Sequence, residues 1–410
     1  MFSERQRTGL GGAKSRAKMH QSSEVLFFNP QELKRLESSY SSGGLEATVP
    51  LIQEKLNNLK SAKLHIAVTG ESGTGKSSFI NAMRKLDDTD ERAAKVGNTE
   101  TTMKPTPYEH PDFPEVSFWD LPGIGTTTFP AEDYLTEVNF QKYDCYILVL
   151  GDRFNENDAN LAKEVNRLGK TLYFVRSKID LVFQNKVVEK EKELDKIRNY
   201  YVDKLRNAGI SEATVFLISI FQKTEFDFDD LIETLANSFD DIKKDLFLKS
   251  LPSMTIKILE QKRNQLKKQI WMLATLSGTI GAVPIPGLSF ACDLGILVTA
   301  IIDFRSYLGL NDDSLQRLAN MTGKRVEVLK AAVTTPLMGE INEDFVKRIL
   351  LGSTYLAISA IEIGLDIIPV VGSIFGAASS FAMTYKLLRN ALEDLTENAK
   401  RVVKVALVSD

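Results

Sequence analysis

Residues 64–78 read "LHIAVTGESGTGKSS", and this stretch decides the fold. "LHIAVTG" is an apolar run that ends on a glycine, the pattern of a buried strand. "GESGTGKS", Gly70 to Ser77, matches G-x-x-x-x-G-K-[ST], and residues 78–86 behind it read as helix. Strand, glycine-rich loop and helix in that order predict a phosphate-binding loop. Gly70, Gly73 and Gly75 let the backbone turn tightly, so that its N–H groups face a phosphate. The helix N-terminus adds a favourable dipole. Lys76 brings a cation to the β and γ phosphates, and the Ser77 hydroxyl is a hard oxygen ligand for Mg²⁺. Ser72, Thr74 and Ser78 complete the stretch expected to line a bound nucleotide.

Outward from this loop, "VSFWDL" (116–121), "CYILVL" (145–150), "LYFVRS" (172–177) and "VFLIS" (215–219) are further short apolar runs. Helical patterns, such as 156–168 and 187–207, lie between most of them. Strands alternating with helices predict an α/β domain with a mostly parallel sheet covered on both faces, over residues 62–237. Upstream, Asn29, Pro30 and Glu32 read as N-cap, N1 and N3 of a helix. That helix is expected to stop at Gly43-Gly44, with a second from Leu45 to Leu59. From Leu251-Pro252 onward no strand pattern appears. Residues 253–270 read as a Lys-rich helix, and Leu388, Leu392, Leu395, Ala399 and Val402 recur at helical spacing. The expected domains are a tail over 1–22, N-terminal helices over 23–61, the nucleotide domain over 62–237 and a helical domain over 238–410. The helices of 23–61 are expected to pack with the C-terminal helical domain.

The 410 residues are 43% hydrophobic and 26% charged, enough for two or three globular domains. A net charge of −3 gives no basic field of the kind nucleic acid binding needs. Cys145 and Cys292 each sit inside an apolar run and read as buried, reduced thiols. His20, His65 and His110 lie far apart, and no metal-ligand spacing appears. Residues 1–22 are basic and lack an apolar core segment, so a disordered tail is expected and not a secretory signal. Phe2 stands where N-myristoylation needs a glycine.

"FWDLPGIGTT" (118–127) reads as the switch that senses the γ-phosphate. Asp120 fits a Walker-B aspartate in the Mg²⁺ shell, and the Gly123 N–H fits the γ-phosphate. Ile124 stands where many GTP hydrolases place a glutamine that orients water. The polar loop "GNTETTM" (97–103) offers Thr102 to close over Mg²⁺ and γ-phosphate, with Thr99 and Thr101 as neighbours. "RSKID" (176–180) resembles the base-recognition motif N/T-K-x-D. The Asp180 carboxylate accepts from guanine N1–H and the 2-amino group, donors that adenine lacks. The Lys178 stem is expected along the base, Ser177 replaces the usual Asn or Thr, and Ser219 in "LISI" (217–220) marks the last base loop.

In this order, "HIAVTGESGTGKSSFINAMR", "AAKVGNTETTMKPTPYEHP", "FWDLPGIGTTTF", "YLTEVNFQKYD", "YFVRSKID", "VFLIS" with "FDF", and "LGLNDDSLQRLA" resemble the immunity-related GTPases. The likeness runs from about Asn29 to the C-terminus. Lys76 places it with the effector subgroup that carries a lysine in this loop. The resemblance implies a Ras-like G domain between N- and C-terminal helices, with GTP and Mg²⁺ bound. It also implies self-assembly into homodimers and larger homo-oligomers, with related GTPases as possible partners. Association with endomembranes, often around intracellular pathogens, follows from the same likeness. So does faster hydrolysis when G domains pair face to face, using a phosphate-loop glutamate and the nucleotide ribose across the pair. Glu71 holds the matching position. "DRFNEND" (152–158) resembles the segment that supports this interface, with Arg153 and Asp158 matching, while Asn155 and Glu156 stand where some members carry lysines.

Residues 270–292 and 367–385 are uncharged stretches interrupted by Pro284, Pro286, Pro369 and nearby glycines. They read as core helices, as a membrane-inserting hairpin, or as a span. A GTP-hydrolysing, cytoplasmic protein peripherally bound to endomembranes is the leading functional reading. A GTP-binding scaffold with negligible turnover is the alternative.

Overall fold

The computed structural model describes residues 30–96, 104–122, 138–184, 189–210, 212–222, 225–281, 288–351 and 380–407. Residues 61–258 form one compact unit, and the described parts of 1–60 and 259–410 form the other. The 1–22 tail, the Thr-rich loop 97–103 and the switch from Gly123 onward lie outside the described residues.

The first helical stretch, α1, spans Pro30–Ser61 without interruption through Gly43, Gly44 and Pro50. It is not a straight rod. Lys55 Nζ lies 2.9 Å from Glu32 Oε1, and the two residues are 23 apart in sequence. A straight helix would separate them by roughly 34 Å. The Ser39 hydroxyl likewise donates to the Ala47 carbonyl at 2.7 Å. Both pairs are centred on Gly43-Gly44, so the stretch folds back there. The expected boundary is real as a reversal between two helical arms.

The sheet unit then runs β1 (Leu64–Thr69), α2 (Lys76–Met83), β2 (Thr106–His110) and β3 (Phe113–Asp120). After a 3₁₀ turn at Phe140–Lys142 come β4 (Cys145–Leu150), α3 (Glu156–Arg167) and β5 (Leu172–Arg176). A short α4 (Asp180–Phe183), α5 (Lys190–Asn207), β6 (Val215–Leu217), α6 (Phe228–Ser238) and α7 (Asp241–Ser250) complete it. The six strands lie in the order β2-β3-β1-β4-β5-β6. All neighbouring pairs are parallel except β2–β3. The mostly parallel sheet is as expected, and β2 is an addition. Its sequence "TPYEH" has no apolar run and carries Pro107, which suits only an edge strand.

Every residue of β4 is buried, because helices cover both faces of a parallel sheet. On one face Tyr146, Leu148, Phe174, Leu161, Val165, Tyr201 and Leu205 share a core with α3 and α5. On the other, α2 and α7 pack on β1 and β3. The chain visits β3 on one side of β1 and then β4 on the other. This reversal opens a crevice at the carboxyl end of β1, where α/β sheets bind ligands. Cys145 is buried, and burial pushes its thiol pKa up, as expected for an inert core cysteine.

The helical unit contains α8 (Ile256–Gly281, from its Leu259), α9 (Leu288–Tyr307), α10 (Asp312–Thr322), α11 (Val326–Ala331), α12 (Glu343–Leu351) and α13 (Ser380–Leu407). The expected α13 stripe, Leu388, Leu392, Leu395, Ala399 and Val402, is buried throughout. Arg263 Nε meets Glu393 Oε2 at 2.6 Å and Lys267 Nζ meets Glu393 Oε1 at 3.0 Å, tying α8 to α13. Ile270, Trp271, Met272 and Ala274 of the first uncharged stretch are buried, as core residues are. Most of the second stretch lies outside the described residues. Among the described residues, 294–322 contains an 18-residue window with a mean hydropathy of 1.2, apolar enough by length and composition to cross a membrane. Within 294–322 α9 ends at Tyr307 and α10 begins at Asp312, so it is two helices and not one rod.

Candidate nucleotide-binding site

The glycine-rich loop leaves β1 and enters α2 through backbone that only glycine adopts readily. Gly70, Gly73 and Gly75 have φ of 137°, 79° and 97°. A Cβ on Gly70 would lie 2.2 Å from the Val149 carbonyl oxygen of β4. A Cβ on Gly75 would lie 3.0 Å from Ser177 Oγ. At Gly70 and Gly75 the cradle is therefore pressed against the neighbouring strand and the base segment, while Gly73 faces open space and is set by its positive φ alone. Lys76 Nζ donates to the Gly70 and Glu71 carbonyls at 2.9 and 2.7 Å, which places the ammonium inside the loop at the start of α2. Thr74 Oγ1 donates to the Glu71 carbonyl at 2.9 Å. Ser77 is half-buried in the first turn, while the Ser78 hydroxyl donates to Asp88 at 2.9 Å. Glu71, Ser72 and Gly73 are exposed. Asp120 is buried at the end of β3, in register with Val68 beside the loop.

The base segment is fastened to this cradle. The Ser177 hydroxyl donates to the Thr74 carbonyl, and Lys178 Nζ donates to the Gly73 carbonyl at 2.7 Å. Lys178 reaches it from a left-handed backbone, φ 56°. Asp180 opens α4, and its Oδ1 is buried with no hydrogen-bond partner among the described residues. The Ile179 amide donates to the Ile218 carbonyl at 3.2 Å, bringing in the third loop. There Ser219 Oγ accepts from the Phe221 and Gln222 amides at 3.2 and 3.1 Å, so this serine shapes its own turn. A buried carboxylate oxygen without a donor is costly. The N1–H and 2-amino groups of guanine are the donors such a site lacks. The sterically closed glycine cradle and the unsatisfied Asp180 oxygen both fit a guanine nucleotide.

The model of the family "Interferon-inducible GTPase (IIGP)" matches residues 29–406. The chain belongs to the interferon-inducible GTPase family. Interferon-inducible GTPase 5 of Rattus norvegicus is 36% identical over 386 residues, covering 93% of this chain and 83% of its own. T-cell-specific guanine nucleotide triphosphate-binding protein 2 of Mus musculus is 39% identical over 307 residues, 73% of this chain and 74% of that one. A solved oligomerised bacterial dynamin pair covers 98% of this chain and 77% of its own at 13% identity and a TM-score of 0.38, too distant to carry an argument. The protein is thus a guanine-nucleotide-binding GTPase with a Ras-like G domain and a helical domain.

Gly70, Ser72, Gly73, Thr74, Gly75, Lys76, Ser77, Ser78, Asp120, Ser177, Lys178, Asp180 and Ser219 lie at the carboxyl ends of β1, β3, β5 and β6 or in the loops and first helical turns that follow them. Thr102 and Gly123 lie outside the described residues. Arg153 is exposed in the loop after β4. Asp158, matched to an interface segment in sequence, is buried at N3 of α3, where it forms a capping box with Asn155. Sequence reasoning missed Asn81. Its buried side chain accepts from the Ala94 amide at 2.7 Å and donates to the Ala94 carbonyl at 3.0 Å, fixing the chain before the Thr-rich loop. It also missed Tyr200 and Tyr201, which grip the 151–155 loop. Neither contact has a local signature, because each joins residues distant in sequence.

Proposed function

We propose that this GTPase hydrolyses GTP to GDP and phosphate slowly alone and faster when two G domains pair. On this reading it is a self-assembling, membrane-associated effector of cell-autonomous innate immunity. It works in the cytoplasm, peripherally on endomembranes or pathogen-containing vacuoles, as a homodimer and higher homo-oligomer and with related GTPases. The observation that carries the nucleotide part is the buried Asp180 Oδ1 without a donor, on a segment tied by Ser177 and Lys178 to the phosphate cradle.

Lys76 exchanges the Gly70 and Glu71 carbonyls for the β and γ phosphates. The loop amides and the α2 N-terminus hold the same oxygens. Ser77, Asp120 and Thr102 would hold Mg²⁺, which when bound neutralises charge on the phosphate oxygens. The Gly123 N–H is assigned to the γ-phosphate. Glu71 and Arg153 are exposed, so they are open to a second copy. A group supplied in trans raises GTPase rates by about 10³–10⁵, or roughly 4–7 kcal/mol of barrier. A chain with Ile124 at the water-orienting position has that much to gain.

Phosphate release per molecule, measured against protein concentration, is the test. Specific activity that rises with concentration is expected, and concentration-independent activity defeats the pairing step. Turnover that stays negligible at high concentration favours the scaffold reading instead. That reading has one observation behind it: Asn155 is committed to capping α3 and supplies no cation at the interface. Asp180→Asn is expected to weaken GTP binding about 10–100-fold, the loss of a charge-assisted hydrogen bond, and to erase the preference over ATP. Flotation of the full chain with neutral and anionic liposomes tests the membrane part, and no binding to either rejects it.

A further inference from the structure

The loop between β4 and α3 is held at every residue but one. The Gly151 carbonyl accepts from the Tyr201 hydroxyl. The Asp152 carboxylate accepts from the buried Arg176 guanidinium. The Phe154 amide donates to the Tyr200 hydroxyl at 3.3 Å. Asn155 Oδ1 accepts from the Asp158 amide at 2.8 Å, and the Asn155 amide donates back to Asp158 Oδ2 at 3.2 Å. Arg153 stands in the middle, exposed, with no hydrogen bond, ion pair or ring contact among the described residues.

This loop borders the phosphate cradle. A Cβ on Gly151 would lie 3.5 Å from Thr74 Cγ2 and 3.8 Å from Glu71 Oε2. Arg153 therefore stands on a loop at the rim of the nucleotide site, and it forms no ion pair with its own Glu71 among the described residues. The two tyrosines are neighbours on α5, with rings edge-to-face at 5.0 Å. They come from a helix far along the chain, and their hydrogen bonds to the loop are made by their hydroxyls. A loop tied at four of its five residues, three of them through the backbone, has little conformational freedom left to lose. A charge mounted this way needs no reorganisation when it meets its target, and misplacement by about 1 Å can cost about 100-fold in rate.

We propose that Tyr200 and Tyr201, with Arg176 and Asp158, are positioning residues that hold the 151–155 loop as a rigid mount. The mount presents Arg153 to the anionic nucleotide site of a second copy of this chain. The inference rests on the paired-domain reading above and names what makes that pairing productive. Tyr200→Phe, Tyr201→Phe and the double variant of the full-length chain remove the two hydroxyls and keep the rings. Steady-state GTP turnover at low and high protein concentration is measured beside GDP affinity, with Arg153→Ala in parallel. The double variant is expected to lose about tenfold or more of the concentration-stimulated kcat, by misplacement of the charge. Its KM, GDP affinity and dilute-protein turnover stay within about twofold of the parent, since no hydroxyl touches the nucleotide site. Full stimulation in the double variant, while Arg153→Ala has lost it, overturns the mount and leaves the pairing reading intact. Unimpaired stimulation in Arg153→Ala overturns both the Arg153 assignment and the mount. An equal loss of GDP affinity in the tyrosine variants assigns them to the fold and also overturns the proposal. Should the Tyr201 variants fail to fold, Tyr200→Phe alone, at a partly exposed ring, carries the same comparison.

Discussion

Asp158 is the ionisable residue whose burial has the clearest consequence for pH. Its carboxyl pKa is pushed up from 3.8 to about 6, chiefly by burial, with Glu71 adding to the rise and the Asn155 amide opposing it. The folded protein therefore keeps this proton to a higher pH than the unfolded chain. The stability it contributes is complete below pH 3.8 and is lost as pH rises through about 6. At pH 7 the ionised group destabilises the fold, by at most about 3 kcal/mol. Asp158→Asn keeps an acceptor for the Asn155 amide and removes the charge. In chemical denaturation it is expected to gain on the parent at pH 7, to keep roughly half of that advantage at pH 5 and to lose it below about pH 3.8. An advantage equal at pH 7 and pH 5 would contradict the assignment. Gly70 gives a second residue-scale prediction. Gly70→Ala drives a methyl group onto the backbone of a central strand, 2.2 Å from an oxygen that cannot move aside. Gly73→Ala meets nothing within 4 Å and carries only the strain of its positive φ, about 1–2 kcal/mol. Denaturation midpoints should therefore separate the two, with Gly70→Ala much the weaker protein.

At the scale of elements, α1 poses a sharp geometric question. Helical backbone lies on both sides of Gly43-Gly44, and the Lys55–Glu32 pair demands a reversal there. Carbodiimide treatment of the native protein is expected to couple Lys55 to Glu32, read as a crosslinked peptide pair by mass spectrometry. A straight helix, with roughly 34 Å between them, gives no such product. The glycine pair made this reversal legible in the sequence. The central strands were legible for another reason: they are buried on both faces and so read as unbroken apolar runs. Strand β2 was not, because an edge strand needs no such run and Pro107 masks the signal. The phosphate loop and the SKID segment were legible because each is a contiguous motif whose backbone chemistry is local. The grip of Tyr200 and Tyr201 on the 151–155 loop was not, because nothing in the amphipathic pattern of α5 marks two of its residues as anchors for a distant turn.

On the scale of the whole molecule, every described nucleotide-site residue belongs to the 61–258 unit. The helical unit rests on a different set of forces: the apolar stripe of α13 and the ion pairs of Arg263 and Lys267 with Glu393. Leu392 is fully buried in that stripe. Leu392→Ala leaves a cavity there and is expected to cost about 2–5 kcal/mol of that unit's stability. The nucleotide groups are untouched, so the GDP dissociation constant should not move. Lys76→Ala acts in the opposite way. It removes the cation from the cradle and abolishes nucleotide binding, while leaving the helical stripe intact. Ligand linkage turns this contrast into one measurement. GDP at about 100 times its dissociation constant should stabilise the parent's sheet unit by about 2.7 kcal/mol. Followed by hydrogen exchange, that increment is expected across the sheet strands of Leu392→Ala as in the parent, and to be absent from Lys76→Ala. An increment lost in Leu392→Ala would mean that the helical unit helps to build the nucleotide site, contrary to the division of labour between the two units.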